Sequence, residues 1–284
     1  MSIVVTGATG SLGRLIVEHL LARGVAPEQI VGLGRNTGKL AELEKTGVRT
    51  AVADYSDATA LDSAFAGATA LMLVSGSEVG QRVEQHATVI DRAKAAGVPH
   101  LVYTSAPNAD TSELILAPEH KATEELIRAS GIPFTILRNG WYTENYAGTV
   151  DQARSSGVYL ASTGDGRIAS ASRTDYAEAA AVVLTEPGHE GAVYELSGDT
   201  AWDGHELASA LSEVTGRDVV YTPVTPEEHT AALTAAGLDE GTAGFVVALD
   251  QNTRDGLLAN TSGDLSRLIG RPTTPLLEGL AATA

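Results

Sequence analysis

The sequence predicts an α/β protein: a Rossmann-type, doubly wound parallel sheet with a smaller, discontinuous α/β substrate-covering lobe. Two observations predict it. Short apolar, β-branched runs recur at intervals of roughly 20 to 35 residues with amphipathic segments between them, the pattern of parallel strands joined by crossover helices. A glycine loop, Gly7-Ala8-Thr9-Gly10-Ser11-Leu12-Gly13, lies between the first apolar run and the first amphipathic segment, where such folds seat a nucleotide pyrophosphate.

In order, the expected strands are Ile3–Val5, Ile30–Leu33, Thr50–Ala53, Ala70–Ser75, Leu101–Ser105 and Phe134–Leu137. The expected helices between them span about 12–23, 37–46, 57–66, 80–96 and 119–130. Gly24, Gly47, Gly67, Gly97 and Gly131 each follow a helical stretch, where a left-handed cap is favoured. Asn36 and Asp57 read as N-caps. Beyond Leu137 the regularity weakens: short strands are expected at Val158–Leu160, Ile168–Ala171, Val193–Leu196 and Val219–Tyr221, and helices at 175–185, 203–215, 226–236 and 264–269. Residues 1–150 are therefore expected to form the NAD(P)-binding domain, with 168–198 partly returning to it, and 151–284 mainly the smaller lobe.

Composition narrows the function. A net charge of −17 with only four lysines argues against a nucleic-acid partner, whose phosphates need clustered cations. No cysteine is present, so disulfides and thiolate chemistry are excluded. No uncharged apolar run approaches a membrane span, and a strand begins within three residues of Met1; a cytoplasmic protein is expected. The seven histidines show no ligand spacing, and no metal is expected. A homo-oligomer is compatible with the sequence.

The glycines permit a tight turn, so an anion can approach main-chain N–H groups at the start of the helix near Ser11. Arg35 closes the second strand, where an acid would select NAD and an arginine selects the 2′-phosphate of NADP; NADP(H) is the expected cofactor, with NAD(H) weaker. Lys39 reads equally as a second cation or a solvated helix residue. Asp54, after the third strand, is open to adenine contact or to a capping role. Ser75-Gly76-Ser77, after the fourth, flanks the point where strand order reverses. Tyr103-Thr104-Ser105 ends the fifth strand, yet no tyrosine has a lysine four residues later. The phenol and lysine pair that tunes alcohol oxidation is thus missing, whereas a quinone accepts hydride without a tuned tyrosine.

The loop Gly7–Gly13, the segment Ser75–Arg82, the stretch His120–Glu124 with Ser130–Tyr146 (including Gly-Trp-Tyr-Thr-Glu-Asn-Tyr), and Gly164–Asp175 together resemble the NmrA-like atypical short-chain dehydrogenases. Within that family the resemblance is strongest to type 2 NAD(P)H:quinone oxidoreductases, and it runs from residue 1 to about 277. It implies NADPH-dependent, flavin-free, two-electron reduction of a small planar quinone. Phosphates are then expected at Gly7 to Leu12, the 2′-phosphate at Arg35, further cofactor contacts at Ser75 to Ser77 and Arg173, and the nicotinamide end at Asn139, Gly140, Trp141, Tyr142, Thr143 and Glu144.

His120 and Tyr142 are the candidate catalytic side chains. His120 stands where isoflavone-reductase-like relatives have a functional lysine, and reads equally as a proton donor or a structural histidine. Trp141, Tyr142 and Tyr146 cluster in a chain of thirteen aromatics; they suit stacking on a planar substrate or packing between lobes. Arg173 and Asp175 also read as a local ion pair. A non-catalytic NADP sensor and a reductase of another conjugated carbonyl are the competing functions.

Overall fold

The computed structural model describes residues 2–283. In chain order its elements are β1 (Ser2–Val5), α1 (Ser11–Ala22), β2 (Ile30–Gly34), α2 (Thr37–Glu44), β3 (Arg49–Val52), α3 (Ala58–Phe65), β4 (Ala68–Leu73), α4 (Arg82–Ala95), β5 (Leu101–Ser105), α5 (Ala117–Ser130) and β6 (Phe134–Asn139). There follow α6 (Ala147–Ser156), β7 (Val158–Ala161), α7 (Arg173–Thr185), β8 (Val193–Leu196), α8 (Gly204–Thr215), β9 (Val220–Pro223), α9 (Pro226–Ala235), α10 (Glu240–Arg254), α11 (Asp264–Ile269) and α12 (Leu276–Ala281).

The chain forms two compact units. The first comprises Met1–Asp110, Leu116–Asn139 and Arg173–Glu195. Its sheet has the order β3-β2-β1-β4-β5-β6-β8. The chain starts in the middle, winds outward through β2 and β3, then crosses back to β4; β1 pairs in parallel with both β2 and β4. Strands covered by helices on both faces must be apolar throughout, and Leu71, Met72 and Leu73 of β4 are completely buried. Leu33, Leu61, Phe65, Val89, Leu101 and Ile127 build the core beside them. Helix α7 packs on α1 through a run of buried small residues, Ala177, Ala179, Ala180 and Ala181. Asn36 and Asp57 cap α2 and α3 as expected, accepting from the N–H groups of Lys39 and Ala60 at 3.0 Å. The five glycines expected to end helices all adopt positive φ.

The second unit comprises Thr111–Ile115, Gly140–Ser172 and Leu196–Ala284. Its own sheet pairs β7 with β9 in parallel. Two expectations are corrected here. Ile168–Ala171 is not a strand: Ile168 makes an isolated antiparallel bridge to Trp202, and Ala171 another to Tyr142. Helices α6, α10 and α12, absent from the expected set, are present. Few of their residues are buried, only Val150 and Ala153 in α6, so apolar periodicity gave no signal.

Candidate active site: a glycine-lined cleft in the first unit

Sequence after β1 dictates the site's floor. Gly7 takes φ +62°, a left-handed conformation open to glycine without strain, and this turns the chain so that Gly10 N–H donates to Gly7 O at 2.9 Å. Helix α1 begins at Ser11 with no side-chain cap and no acid in its first turn. Its leading N–H groups have no partner within the helix, so they and the positive dipole end are left for an anion. Gly13 brings helix and loop together: a Cβ there would lie 2.3 Å from Gly7 O. Helix and loop packed this closely, with uncapped N–H groups at the helix start, fit a dinucleotide pyrophosphate.

These residues open on a cleft of about 370 Å³. Of the expected cofactor residues, Gly7, Thr9, Gly10, Ser11, Leu12, Gly13, Arg35, Asp54, Ser75, Gly76, Ser77 and Arg173 line it. Ala8 lies beneath, buried, its N–H bonded to Leu33 O at 2.8 Å. Lys39 is exposed on α2 and is not a lining residue. Asn139 is buried at the end of β6.

Gly140, Trp141, Tyr142, Thr143 and Glu144 belong to the second unit. There Thr143 N–H donates to Ala171 O at 3.0 Å. Its hydroxyl meets Ser170 Oγ at 2.9 Å, and the same Ser170 oxygen accepts from Trp202 Nε1 at 3.0 Å. Tyr146 packs edge-on to Trp202, ring centres 5.2 Å apart. Trp202 was absent from the sequence-level aromatic set because it lies 56 residues from Tyr146 in the chain.

Sequence reasoning missed Tyr55, Glu78 and Gln85 as lining residues. The Tyr55 hydroxyl lies 2.6 Å from Val74 O and 2.8 Å from Thr6 Oγ1, tying the loops after β1, β3 and β4 together. Burial pushes this phenol up to about 12, so it remains a hydrogen-bond donor. Glu78 accepts from Arg35 Nη1 at 2.6 Å and from Gln85 Nε2 at 2.9 Å; Asp54 accepts from Arg35 at 3.3 Å. Asp54 also accepts from Ser56 N–H and Oγ, which holds its carboxyl below the usual range, with Arg35 adding to the effect.

The loop after β4 is anchored from below. Ser75 N–H donates to Thr104 Oγ1 at 2.8 Å. Gly76 N–H donates to His86 Nε2 at 3.0 Å, while Gly76 O accepts from Arg82 Nε at 2.8 Å. Because Nε2 accepts, His86 carries its proton on Nδ1, 3.1 Å from Thr123 Oγ1. Burial, with Arg82 nearby, pushes His86 down to about 3.

His120 is likewise buried, with Nδ1 2.8 Å from the Tyr103 hydroxyl, and burial with the Arg82 and His86 charges pushes it down to about 3. It does not line the cleft, and it is neutral near pH 7. The linkage has a definite sign. Unfolded histidines titrate near 6.5, so as pH falls from there toward 3 the unfolded chain binds more protons and stability is lost. His120→Gln should flatten the stability profile by roughly 1 kcal/mol per pH unit in this window, read by urea denaturation at about pH 7, 6 and 5. The pH–rate profile of the unaltered protein should show no inflection from His120 between about pH 5 and 8.

A second constellation, Ser162, His229 and Asp250, has the residue types of a nucleophilic triad. Both Ser162 Oγ (3.2 Å) and Asp250 Oδ2 (2.9 Å) approach the same ring nitrogen, Nδ1. A serine nucleophile needs the base's other nitrogen, so this trio is a hydrogen-bonded anchor. Among the described residues no His, Asp and Glu grouping could hold a metal ion, and no helix is long and apolar enough to cross a membrane.

A parallel sheet whose strand order reverses between β1 and β4, with an uncapped helix start at the reversal, defines a dinucleotide-binding domain. Residues 7–187 match the NAD(P)H-binding family, and the chain belongs to that family. It is 47% identical to quinone oxidoreductase 2 of Escherichia coli K12 over 98% of this chain and 97% of that protein. The crystal structure of the E. coli NADPH-dependent quinone oxidoreductase complexed with NADPH matches with a TM-score of 0.94, covering 99% of each chain. Triphenylmethane reductase of Citrobacter sp., solved with NADP(H), is 40% identical with a TM-score of 0.94 over 100% of both chains. NAD(P)H azoreductase of Xenophilus azovorans is 30% identical over 99% of this chain and 98% of that protein.

Proposed function

We propose that this chain is an NADPH-preferring, flavin-free reductase of quinones, acting in the cytoplasm. The observation that carries the cofactor choice is Arg35: it lies on the cleft wall at the end of β2, the position where a guanidinium meets a ribose 2′-phosphate. Similarity to a quinone oxidoreductase at 47% identity supports the substrate class.

When bound, the dihydronicotinamide supplies a hydride, and a proton from water completes the hydroquinone. The protein's part is holding and orienting. The glycine loop receives the pyrophosphate, Ser75 to Ser77 flank it, and Asn139 to Glu144 are assigned to the nicotinamide end and the substrate. Trp141 and Tyr142 offer flat rings to a planar acceptor, with the Tyr142 hydroxyl as a donor to a substrate oxygen. His120, neutral and bonded to Tyr103, supports this framework without carrying the proton.

The test follows NADPH absorbance with a panel of quinones, an azo dye and a triphenylmethane dye, with NADH as control. Quinones should be turned over fastest, with NADPH. Arg35→Ala should weaken NADPH much more than NADH, by roughly 1–3 kcal/mol; equal losses would remove Arg35 from its role. Nucleotide binding without reduction of any acceptor would favour the sensor.

A further inference from the structure

We infer that Glu78 is a specificity-determining residue of the cofactor's ribose site: its carboxylate occupies the face of Arg35 that a 2′-phosphate would take, and so moderates the preference for NADPH over NADH. The inference rests on the NADPH reading and adds a residue that works against it.

The geometry is built rather than incidental. Glu78 is held through both oxygens, Oε1 by Arg35 at 2.6 Å and Oε2 by Gln85 at 2.9 Å. Its loop is fixed two residues earlier, where Gly76 is gripped at N–H by His86 and at C=O by Arg82. Asp54 approaches the same guanidinium nitrogen at 3.3 Å. Arg35, Asp54, Glu78 and Gln85 all line the cleft. Arg35 alone therefore faces two carboxylates, Asp54 and Glu78.

A 2′-phosphate approaching Arg35 must compete with Glu78 at Nη1 and then stay beside two anions. A free 2′-hydroxyl meets the opposite situation, because carboxylates accept hydrogen bonds from ribose hydroxyls. The same group thus disfavours NADPH and favours NADH. Exposed ion pairs in water are weak, so the effect is moderate, and salt screens it.

The experiment titrates the full chain with NADPH, NADH, adenosine 2′,5′-bisphosphate and 5′-AMP, following binding by calorimetry. Glu78→Gln keeps size and one of the two accepting oxygens while removing the charge; Glu78→Ala repeats the measurement without the side chain. Glu42→Gln, on the exposed face of α2 and paired with Lys45, makes the same change in net charge away from the cleft. Both Glu78 variants should tighten NADPH and the 2′,5′-bisphosphate about three- to fivefold at low salt. They should leave 5′-AMP unchanged and NADH unchanged or weaker. Glu42→Gln should move none of them.

An unchanged NADPH to NADH ratio in both Glu78 variants, with the unaltered protein preferring NADPH, would overturn the inference and leave the cofactor reading standing. An equal gain in Glu42→Gln would also overturn it, since the effect would then be net charge alone. Failure of the unaltered protein to distinguish the 2′,5′-bisphosphate from 5′-AMP would remove both readings together.

Discussion

Gly13→Ala should cost this protein most of its affinity for pyridine nucleotides, with NADPH and NADH losing alike. The added methyl carbon would stand 2.3 Å from Gly7 O, 2.7 Å from Gly7 C and 3.0 Å from Ala8 Cα. All three are main-chain atoms, so no rotamer change relieves the clash; either α1 or the loop must move. Alanine is the better helix former by about 1 kcal/mol, but overpacking of this kind costs about 1–3 kcal/mol, and contact this short with backbone belongs at the upper end. A net loss of about 2 kcal/mol in stability is expected. Affinity should fall by more than about tenfold, because the N–H groups no longer converge on one anion. Gly24→Ala is the informative comparison: φ is +84° but nothing lies within 4 Å of the new Cβ, so stability falls by about 1 kcal/mol while binding stays as it was. Denaturation and nucleotide titration of the two variants read this directly; near-normal binding by Gly13→Ala would mean that the cradle is not the pyrophosphate site.

The contrast between these glycines and Arg35 shows what a sequence can disclose. In a parallel sheet every strand delivers its last residue to the same edge, so Gly7–Gly13, Arg35, Asp54 and Ser75–Ser77 needed only correct strand ends to be gathered on one cleft. The observed ends differ from the expected ones by one or two residues, Gly34 for β2, Val52 for β3 and Leu73 for β4. Pairing between loops is another matter. Arg35 and Glu78 are 43 residues apart, and no local pattern encodes which carboxylate reaches which guanidinium. Gln85 was illegible for the same reason. His120 invited a chemical reading from its type and motif. What decides its state is burial beneath the cleft and the Tyr103 hydroxyl, both products of tertiary packing.

The largest expected loss of stability comes from a residue outside the cleft. Glu124 on α5 and Arg138 on β6 form a two-pronged pair, Nε to Oε1 at 2.9 Å and Nη2 to Oε2 at 2.7 Å, with side chains only 4% and 7% exposed. Ser105 Oγ donates to the same carboxylate at 2.6 Å, so Glu124 joins the ends of β5 and β6 to α5. Burial alone would push the Arg138 guanidinium down; hydrogen bonds to Glu124 and Glu195 outweigh it and raise it above the ordinary arginine value, and since arginine is not deprotonated in proteins it stays charged when a partner is removed. Glu124→Ala therefore strands a buried cation, a change that costs about 3–5 kcal/mol when nothing compensates. Here Glu195 at 2.8 Å and Asp110 at 2.9 Å remain on Nη1, which places the expectation near about 3 kcal/mol. Glu124→Gln, able to accept from Ser105 and one guanidinium N–H, should cost about half as much. Replacing the pair together, Glu124→Leu with Arg138→Met, should recover much of the loss, because well-packed apolar groups often match a buried ion pair. Equilibrium denaturation of the three variants discriminates: if the single alanine change costs less than about 1 kcal/mol, the pair is effectively solvated and α5 is held to the sheet by its apolar face alone.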